Sequence, residues 1–190
     1  MKLDSQYWNQ RYVDGYTGWD IGYASPVFQS FFKEIDIDVS ILIPGAGNAY
    51  EAVLLDQMGF TDITVLDWSQ YAIDQYKNEH PDSNAKLVCG DFFKHEGKYD
   101  FILEQTFFCA IDPSLRASYV KKMAGLLNPG GKIVGVMFNR AFEGGPPFGG
   151  SVEEYRGLFE KDFIIHHLER NYLSIPARMD SEVYIEFEKR

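Results

Sequence analysis

The sequence has little cysteine, few basic residues and no long apolar run, and each shortage excludes a class of protein. Two cysteines in 190 residues, Cys89 and Cys109, allow at most one bridge and exclude a disulfide framework. Apolar runs such as residues 133–138 are far shorter than the roughly 18 residues that a membrane-spanning helix needs. The polar N-terminus does not resemble a secretory signal. We therefore expect a soluble, cytoplasmic protein.

The charge balance disfavours polyanionic partners. Lys and Arg together number 18 against 28 Asp and Glu, which gives a formal charge of −10. Proteins that bind nucleic acid or anionic membranes usually carry the opposite sign, so we expect neither partner. The four histidines and two cysteines have no metal-ligand spacing, and motifs of serine hydrolases, nucleotide triphosphatases and zinc proteases are absent. We therefore predict no metal site and no catalytic dyad.

From residue 39 onward, short apolar runs alternate with amphipathic stretches. The pattern predicts strands over residues 39–44, 63–67, 86–89, 99–103 and 132–138, and helices over 49–58, 69–78, 114–127 and 151–160. Such alternation predicts an α/β fold with three layers and a doubly wound, mostly parallel sheet. Residues 163–170 and 182–188 alternate like two antiparallel strands. They complete a seven-stranded sheet with an antiparallel strand near its C-terminal edge.

A glycine-rich turn separates the first predicted strand from its helix. Gly45 suits a tight turn with positive φ, and Gly47 lets the backbone approach a ligand closely. Asp67 ends the second strand 22 positions after Gly45, where a carboxylate can accept the hydroxyl groups of a ribose. Together these features favour a nucleoside pocket. A turn that only packs strand on helix, and an Asp67 that only caps the next helix, remain the alternatives.

Two further candidate segments follow the third and fourth strands. Asp91, before Phe92, is a possible acceptor for an adenine amino group, although an ordinary Gly-Asp turn has the same sequence. Gln105 follows the fourth strand and precedes the adjacent rings of Phe107 and Phe108. Polar and aromatic residues in this order suit a junction between a cofactor and an apolar substrate pocket. At least one ring of such a pair is more often plain core.

The N-terminal segment is aromatic and has no obvious place in the sheet. We expect one domain over residues 1–190, in which residues 1–34 form an aromatic lid and residues 39–190 form a Rossmann-like core. Trp8 and Trp19 are the candidate lid residues, because an indole face attracts a cation such as a sulfonium. Burial that merely anchors the segment is the alternative. The Pro/Gly-rich loop over residues 143–150, which includes Phe148, is interpreted as a rim loop.

With these motifs in place, the sequence resembles the thiopurine S-methyltransferase superfamily of S-adenosylmethionine-dependent methyltransferases. The likeness is strongest to the branch of thiocyanate and halide/thiol methyltransferases. It extends over residues 8–188 and rests on residues 17–22, 41–51, 107–113 and 144–148. It implies the class I methyltransferase fold and S-adenosyl-L-methionine as cofactor.

The resemblance also implies roles for single residues. Trp8 and Trp19 would cover the cofactor, and the loop at Gly45 would hold its amino-acid end. Asp67 would bind the ribose. The pair Asp91 and Phe92 would lie beside the adenine. Gln105 stands where members of the superfamily more often have Arg or Tyr.

The expected reaction is methyl transfer to a small soft nucleophile, that is a thiol, a thiocyanate, a halide or a thiopurine-like thiol. We expect its pocket to be rimmed by Trp19, Phe107, Phe108 and Phe148. In-line displacement from a sulfonium needs alignment more than a catalytic dyad. An NAD(P)-dependent oxidoreductase and a non-catalytic S-adenosylmethionine-binding module are the alternatives. We expect a monomer with a small-molecule partner.

Overall fold

A computed structural model describes residues 2–190 and contains the alternating strands and helices that the sequence predicts. The helices are α1 (Ser5–Val13), α2 (Pro26–Phe32), α3 (Tyr50–Gln57), α4 (Gln70–Glu79), α5 (Arg116–Leu126) and α6 (Val152–Phe159). The strands are β1 (Ser40–Pro44), β2 (Asp62–Asp67), β3 (Lys86–Cys89), β4 (Tyr99–Gln105), β5 (Leu127–Phe138), β6 (Phe163–Arg170) and β7 (Glu182–Lys189).

The strands form one seven-stranded sheet in the order β3-β2-β1-β4-β5-β7-β6. Strands β1 to β5 pair in parallel, and β7 pairs antiparallel with both β5 and β6. The predicted mixed sheet is therefore confirmed. The antiparallel strand lies one position inside the edge, because β7 inserts between β5 and β6.

Two clusters of buried side chains lie on opposite faces of the sheet and make the fold three-layered. Helices α5 and α6 contribute to one cluster, and α2, α3 and α4 contribute to the other. Phe28 and Phe32 of α2 are fully buried, and Phe32 packs on Phe60. The second half of the predicted lid is thus a helix of the core layer, because its aromatic side chains point into the domain.

Serine caps fix the starts of α4 and α6. The Ser69 hydroxyl accepts the N–H of Ala72, and the Ser151 hydroxyl accepts the N–H of Glu154, each at 3.2 Å. Ser151 and Glu154 have the spacing of a capping box, but the Glu154 carboxylate pairs with Arg116 instead of turning back to the Ser151 backbone.

Strands β4 and β5 are longer than predicted by two or more residues. Strand β5 begins at Leu127, which pairs with Tyr99, although we expected residues 128–131 only to end the preceding helix. Side-chain pairing explains the extension, because Asn128 donates to the Asp100 carboxylate at 2.8 Å. Strand β4 runs to Gln105. It therefore carries two polar side chains to the edge of the sheet where ligands of open α/β sheets bind.

Candidate cofactor and acceptor site

An open cleft with about 550 Å³ of space lies at the carboxyl ends of β1 and β4. Helices leave the sheet on opposite faces at these neighbouring strands, which is where open α/β sheets bind ligands. The cleft brings together four of the predicted cofactor residues, namely Trp19, Gly45, Gly47 and Gln105.

The glycine loop forms one wall of the cleft. Gly45 and Gly47 have φ values of +59° and +55°, a region that side chains disfavour. A side chain at Gly45 would also overlap the Phe107 ring, and one at Gly47 would meet the Tyr12 hydroxyl. Both glycines are therefore required by backbone conformation and by close packing on either side of the loop.

The Asp67 carboxylate holds the glycine loop through a hydrogen bond to its backbone. Its buried carboxylate accepts the N–H of Gly47 at 2.8 Å and the N–H of Ser69 at 2.7 Å. Burial raises the pKa of Asp67, and these N–H donors oppose the rise. Asp67 does not itself line the cleft. Its expected role with the ribose stays a prediction, and its observed role is to hold the turn.

The N-terminal aromatic residues pack beside the glycine loop, with the Tyr12 hydroxyl close to Gly47. Trp19 lines the cleft, and the rings of Trp8 and Tyr12 pack edge-on against it at 5.7 and 5.6 Å. The Asn9 side chain accepts the N–H of Tyr71 at 2.9 Å, which fastens α1 to α4. Trp8 therefore acts on the cleft only through Trp19, and its predicted cover of the cofactor remains a prediction.

Two carboxylates at the cleft were not among the predicted site residues. Asp20 accepts from the Asn48 side chain at 2.6 Å, and the buried Glu51 accepts the N–H of Ser25 at 3.2 Å. Burial raises the pKa of Glu51. These carboxylates suit the cationic groups of S-adenosylmethionine and disfavour the diphosphate of a nicotinamide cofactor. The sequence signal that could have identified Asp20 is the Thr-Gly-Trp-Asp motif over residues 17–20.

Gln105 and Thr106 form the floor of the cleft at the end of β4. The Gln105 side-chain oxygen is buried and has no hydrogen-bond partner, so it can accept from a ligand in the cleft. Thr106 has φ +58°, which a β-branched residue rarely adopts. The strained turn at Thr106 marks the end of the strand as a candidate reaction centre.

Asp91 and Phe92 lie away from the cleft. The Asp91 carboxylate accepts the N–H of Phe93 at 2.9 Å and caps a short 3-10 turn, Phe92–Lys94. Phe92 is buried and packs edge-on against Phe107 at 5.1 Å. Contact of either residue with an adenine is therefore still a prediction, and both have a structural role without it.

A second, smaller cavity of about 240 Å³ lies beside the cleft. Thr106 lines both spaces. The rest of the second cavity is formed by Glu104, Phe108, Cys109, Val136, Met137, Phe138 and Glu182. Of the four predicted pocket rings, Trp19 lines the cleft and Phe108 lines this cavity. Phe107 packs over Gly45, and Phe148 donates its N–H to the Cys109 carbonyl at 2.6 Å without reaching either space.

Glu104, at the second cavity, is a third carboxylate that was not among the predicted site residues. Its buried carboxylate accepts the N–H groups of Phe107 at 2.9 Å and Phe108 at 2.8 Å, and also the Tyr119 hydroxyl. Burial raises the pKa of Glu104 to about 7, although the three donors lower it in part. The available signal is an acidic residue directly after the apolar run that predicts a strand over residues 99–103.

The fold and the cleft define an S-adenosylmethionine-dependent methyltransferase, and comparison with known proteins identifies the family. Residues 3–187 match the model of the thiopurine S-methyltransferase (TPMT) family, so the chain belongs to that family. It is 33% identical over 184 residues to probable thiol methyltransferase 2 of Arabidopsis thaliana, with 92% of this chain and 81% of that protein covered. Thiocyanate methyltransferase 1 of Brassica oleracea is 29% identical over the same shares.

Solved structures support the fold. The 1,6-didemethyltoxoflavin-N1-methyltransferase of Burkholderia thailandensis, with bound S-adenosylhomocysteine, has a TM-score of 0.78 at 16% identity and covers 97% of this chain and 86% of its own. A TehB-like S-adenosylmethionine-dependent methyltransferase from Corynebacterium glutamicum has a TM-score of 0.70 at 18% identity, with 98% of both chains covered. The oxidoreductase and non-catalytic alternatives are therefore excluded by the family match and its named enzymes.

Residues 2–190 contain no helix long and apolar enough to cross a membrane. Within the same residues, no group of three or more His, Cys, Asp or Glu side chains is arranged to hold a metal ion.

Proposed function

We propose that the protein transfers the methyl group of S-adenosylmethionine to the sulfur of a small thiol or thiocyanate, with halides as further acceptors. The observation that carries the proposal is the second cavity, which shares Thr106 with the cleft. An acceptor in this cavity would approach a cofactor in the cleft from the carboxyl end of β4. The thiol and thiocyanate methyltransferases among the relatives support the choice of nucleophile.

Size and lining of the second cavity favour a small, polarisable acceptor. The cavity has less than half the volume of the cleft, and apolar side chains such as Phe108 and Met137 line much of it. Apolar walls bind soft, weakly hydrated groups at low desolvation cost. A bulky thiopurine would require the cavity to open.

The residues of the cleft fit the proposed cofactor. When bound, S-adenosylmethionine supplies an electrophilic methyl group on a positively charged sulfur. Asp20 and Glu51 would stabilise its cationic groups, and Gln105 would accept a hydrogen bond from it or from the acceptor. Trp19 would cover the cleft and exclude water, because it lines the cleft together with the glycine loop. Displacement then needs the acceptor held in line.

We further propose that the protein acts in the cytoplasm as a monomer and that Asp67 contributes to ribose binding when the cofactor is present. The hydrogen bond from Gly47 to Asp67 supports the last point, since it holds the carboxylate at the foot of the glycine loop.

The first experiment tests the acceptor. Purified protein is incubated with S-adenosylmethionine and with thiocyanate, hydrosulfide or iodide, and methylated volatiles are measured by headspace gas chromatography against a no-enzyme control. We expect product from at least one small acceptor. Absence of product from protein that binds S-adenosylhomocysteine would contradict the small-acceptor proposal and favour bulkier thiols.

A pair of matched variants tests the cavity. Val136→Met should fill the second cavity and abolish turnover while S-adenosylhomocysteine binding is retained. Val134→Met is the control, because Val134 lies on the same face of β5 two residues earlier and does not line the cavity. Equal loss of turnover in both variants would mean that overpacking of the core is responsible.

A further inference from the structure

Glu104 is a buried carboxylate without a cationic partner. Its side chain is held by three neutral donors, the Tyr119 hydroxyl and the backbone N–H groups of Phe107 and Phe108. The residue is 1% exposed. A buried carboxylate without a cationic partner lowers the stability of the fold, because an apolar residue of similar size would pack there without the desolvation penalty. Such a residue is therefore a candidate for a functional role.

The charged and titratable groups around Glu104 leave its charge uncompensated. They are Tyr119 and Arg116 of α5, Cys109 of the following turn, Tyr155 of α6, Glu182 of β7 and Arg178 of the preceding loop. Arg116 pairs with Glu154, and Arg178 lies 3.4 Å from Glu182. Burial keeps the Cys109 thiol neutral by raising its pKa. Glu182, the other carboxylate at the cavity, is held by the Ser174 hydroxyl and by Arg178, so Glu104 is the cavity carboxylate that has no cationic partner.

We propose that Glu104 is the catalytic base for thiol acceptors, accepting the S–H proton of a thiol held in the second cavity. The inference rests on the proposed function and deepens it. As the proton moves to the Glu104 carboxylate, the sulfur lone pair forms the new bond to the methyl carbon. The bond from that carbon to the cofactor sulfur breaks and its electron pair stays there. The products are a thioether, S-adenosylhomocysteine and a protonated Glu104, which later releases its proton to water.

The chemistry suits this step. An ordinary thiol has a pKa near 8.5, and burial raises the pKa of Glu104 to about 7, so the two groups are closely matched for proton transfer. The step also removes a buried positive and a buried negative charge together, which a low-dielectric site favours. Thiocyanate and iodide carry no proton and have no need of a base. An ionised Glu104 would instead repel them.

This difference between acceptors provides the test. We would measure kcat/KM for 2-mercaptoethanol and for thiocyanate between about pH 5.5 and about pH 8.5, a range that brackets the relevant ionisations. The proteins are the wild type, Glu104→Gln and Glu104→Asp. Glutamine preserves the hydrogen bonds, because its amide oxygen can accept both N–H groups and its amide nitrogen can donate to Tyr119.

We expect thiol turnover of the wild type to level off above about pH 7, and Glu104→Gln to lose about 100-fold toward the thiol. The variant should keep thiocyanate turnover and lose its fall with rising pH. Glu104→Asp should retain the plateau in the thiol profile at a lower rate. Equal losses toward both acceptors, or an unchanged pH profile in Glu104→Gln, would overturn the proposal and leave Glu104 a residue that only shapes the turn.

A binding measurement separates this inference from the proposed function. If the wild type methylates neither acceptor, the proposed function fails, and the infrared S–H band of the thiol bound beside S-adenosylhomocysteine decides the inference. A shift to lower frequency in the wild type that is lost in Glu104→Gln supports a hydrogen bond to the carboxylate. The same band position in both proteins contradicts it.

Discussion

The Asp67 carboxylate accepts a hydrogen bond from the Gly47 N–H at 2.8 Å, which joins the end of β2 to the turn between β1 and α3. The contact spans 20 residues of sequence and is buried. A carboxylate at this position therefore shapes the loop before any ligand binds. Gly47 makes this hydrogen bond with a φ of +55°, a conformation that favours glycine.

Asp67→Ala should weaken cofactor binding through the loop as well as through any ribose contact. We expect the dissociation constant of S-adenosylhomocysteine to rise at least about tenfold, equivalent to about 1.4 kcal/mol, measured by isothermal titration calorimetry. Asp62→Ala is the control, because Asp62 is exposed at the opposite end of the same strand. Unchanged binding in Asp67→Ala would rule out both roles.

Trp19→Ala should raise the cofactor dissociation constant by more than Trp8→Ala does. Trp19 lines the cleft, whereas Trp8 reaches it only through an edge-on contact with Trp19. An indole face over a cation contributes about 0.5 to 2 kcal/mol, so we expect a change of about 2- to 30-fold for Trp19→Ala in calorimetric titration with S-adenosylmethionine. If Trp19→Ala lowers only the melting temperature, the indole is an anchor and not a cover.

Thr106→Asn should stabilise the protein and slow the reaction. Asparagine tolerates a positive φ better than a β-branched residue, so relief at φ +58° is worth about 1 kcal/mol in denaturant unfolding. The same change alters a side chain that lines both cavities. Thr61→Asn at an exposed position is the control. A variant with higher stability and unchanged kcat/KM would show that the strained turn has no part in catalysis.

Periodicity predicted the sheet and most helices because each strand buries apolar side chains and each helix covers one face of the sheet. The first five residues of β5, 127–131, escaped prediction, because Asn128 and the glycines after it look like a turn in sequence. In the structure they are held in the strand by the Asp100 carboxylate and by pairing with β4. The second half of the lid was misread because aromatic content alone does not distinguish a pocket cover from a core helix.

The residues of the candidate site also differ in whether the sequence alone could predict them. Gly45, Gly47 and Gln105 could be placed from sequence, because the ends of β1 and β4 meet at one edge of the sheet. Glu51 and Glu104 could not, since their importance arises from burial and from partners far along the chain. Ser25 is 26 residues from Glu51, and Tyr119 is 15 residues from Glu104.

Glu104 should also make the stability of the fold depend on pH. Its pKa is about 7 in the folded protein and near 4.5 when the chain is unfolded, so between these values the folded state binds the additional proton. The unfolding free energy should therefore fall as pH rises from about 4.5 to about 7, because the unfolded chain ionises first. Above about pH 7 the loss of unfolding free energy caused by Glu104 is constant.

The variant Glu104→Gln removes the titrating group. Its unfolding free energy relative to the wild type should therefore increase across the same pH window in urea unfolding, whereas the exposed Glu34→Gln should not change the pH dependence. A wild-type stability that rises over this range by the same amount as that of Glu104→Gln would mean that Glu104 ionises at its ordinary pKa, and the carboxylate could then not serve as a base matched to a thiol.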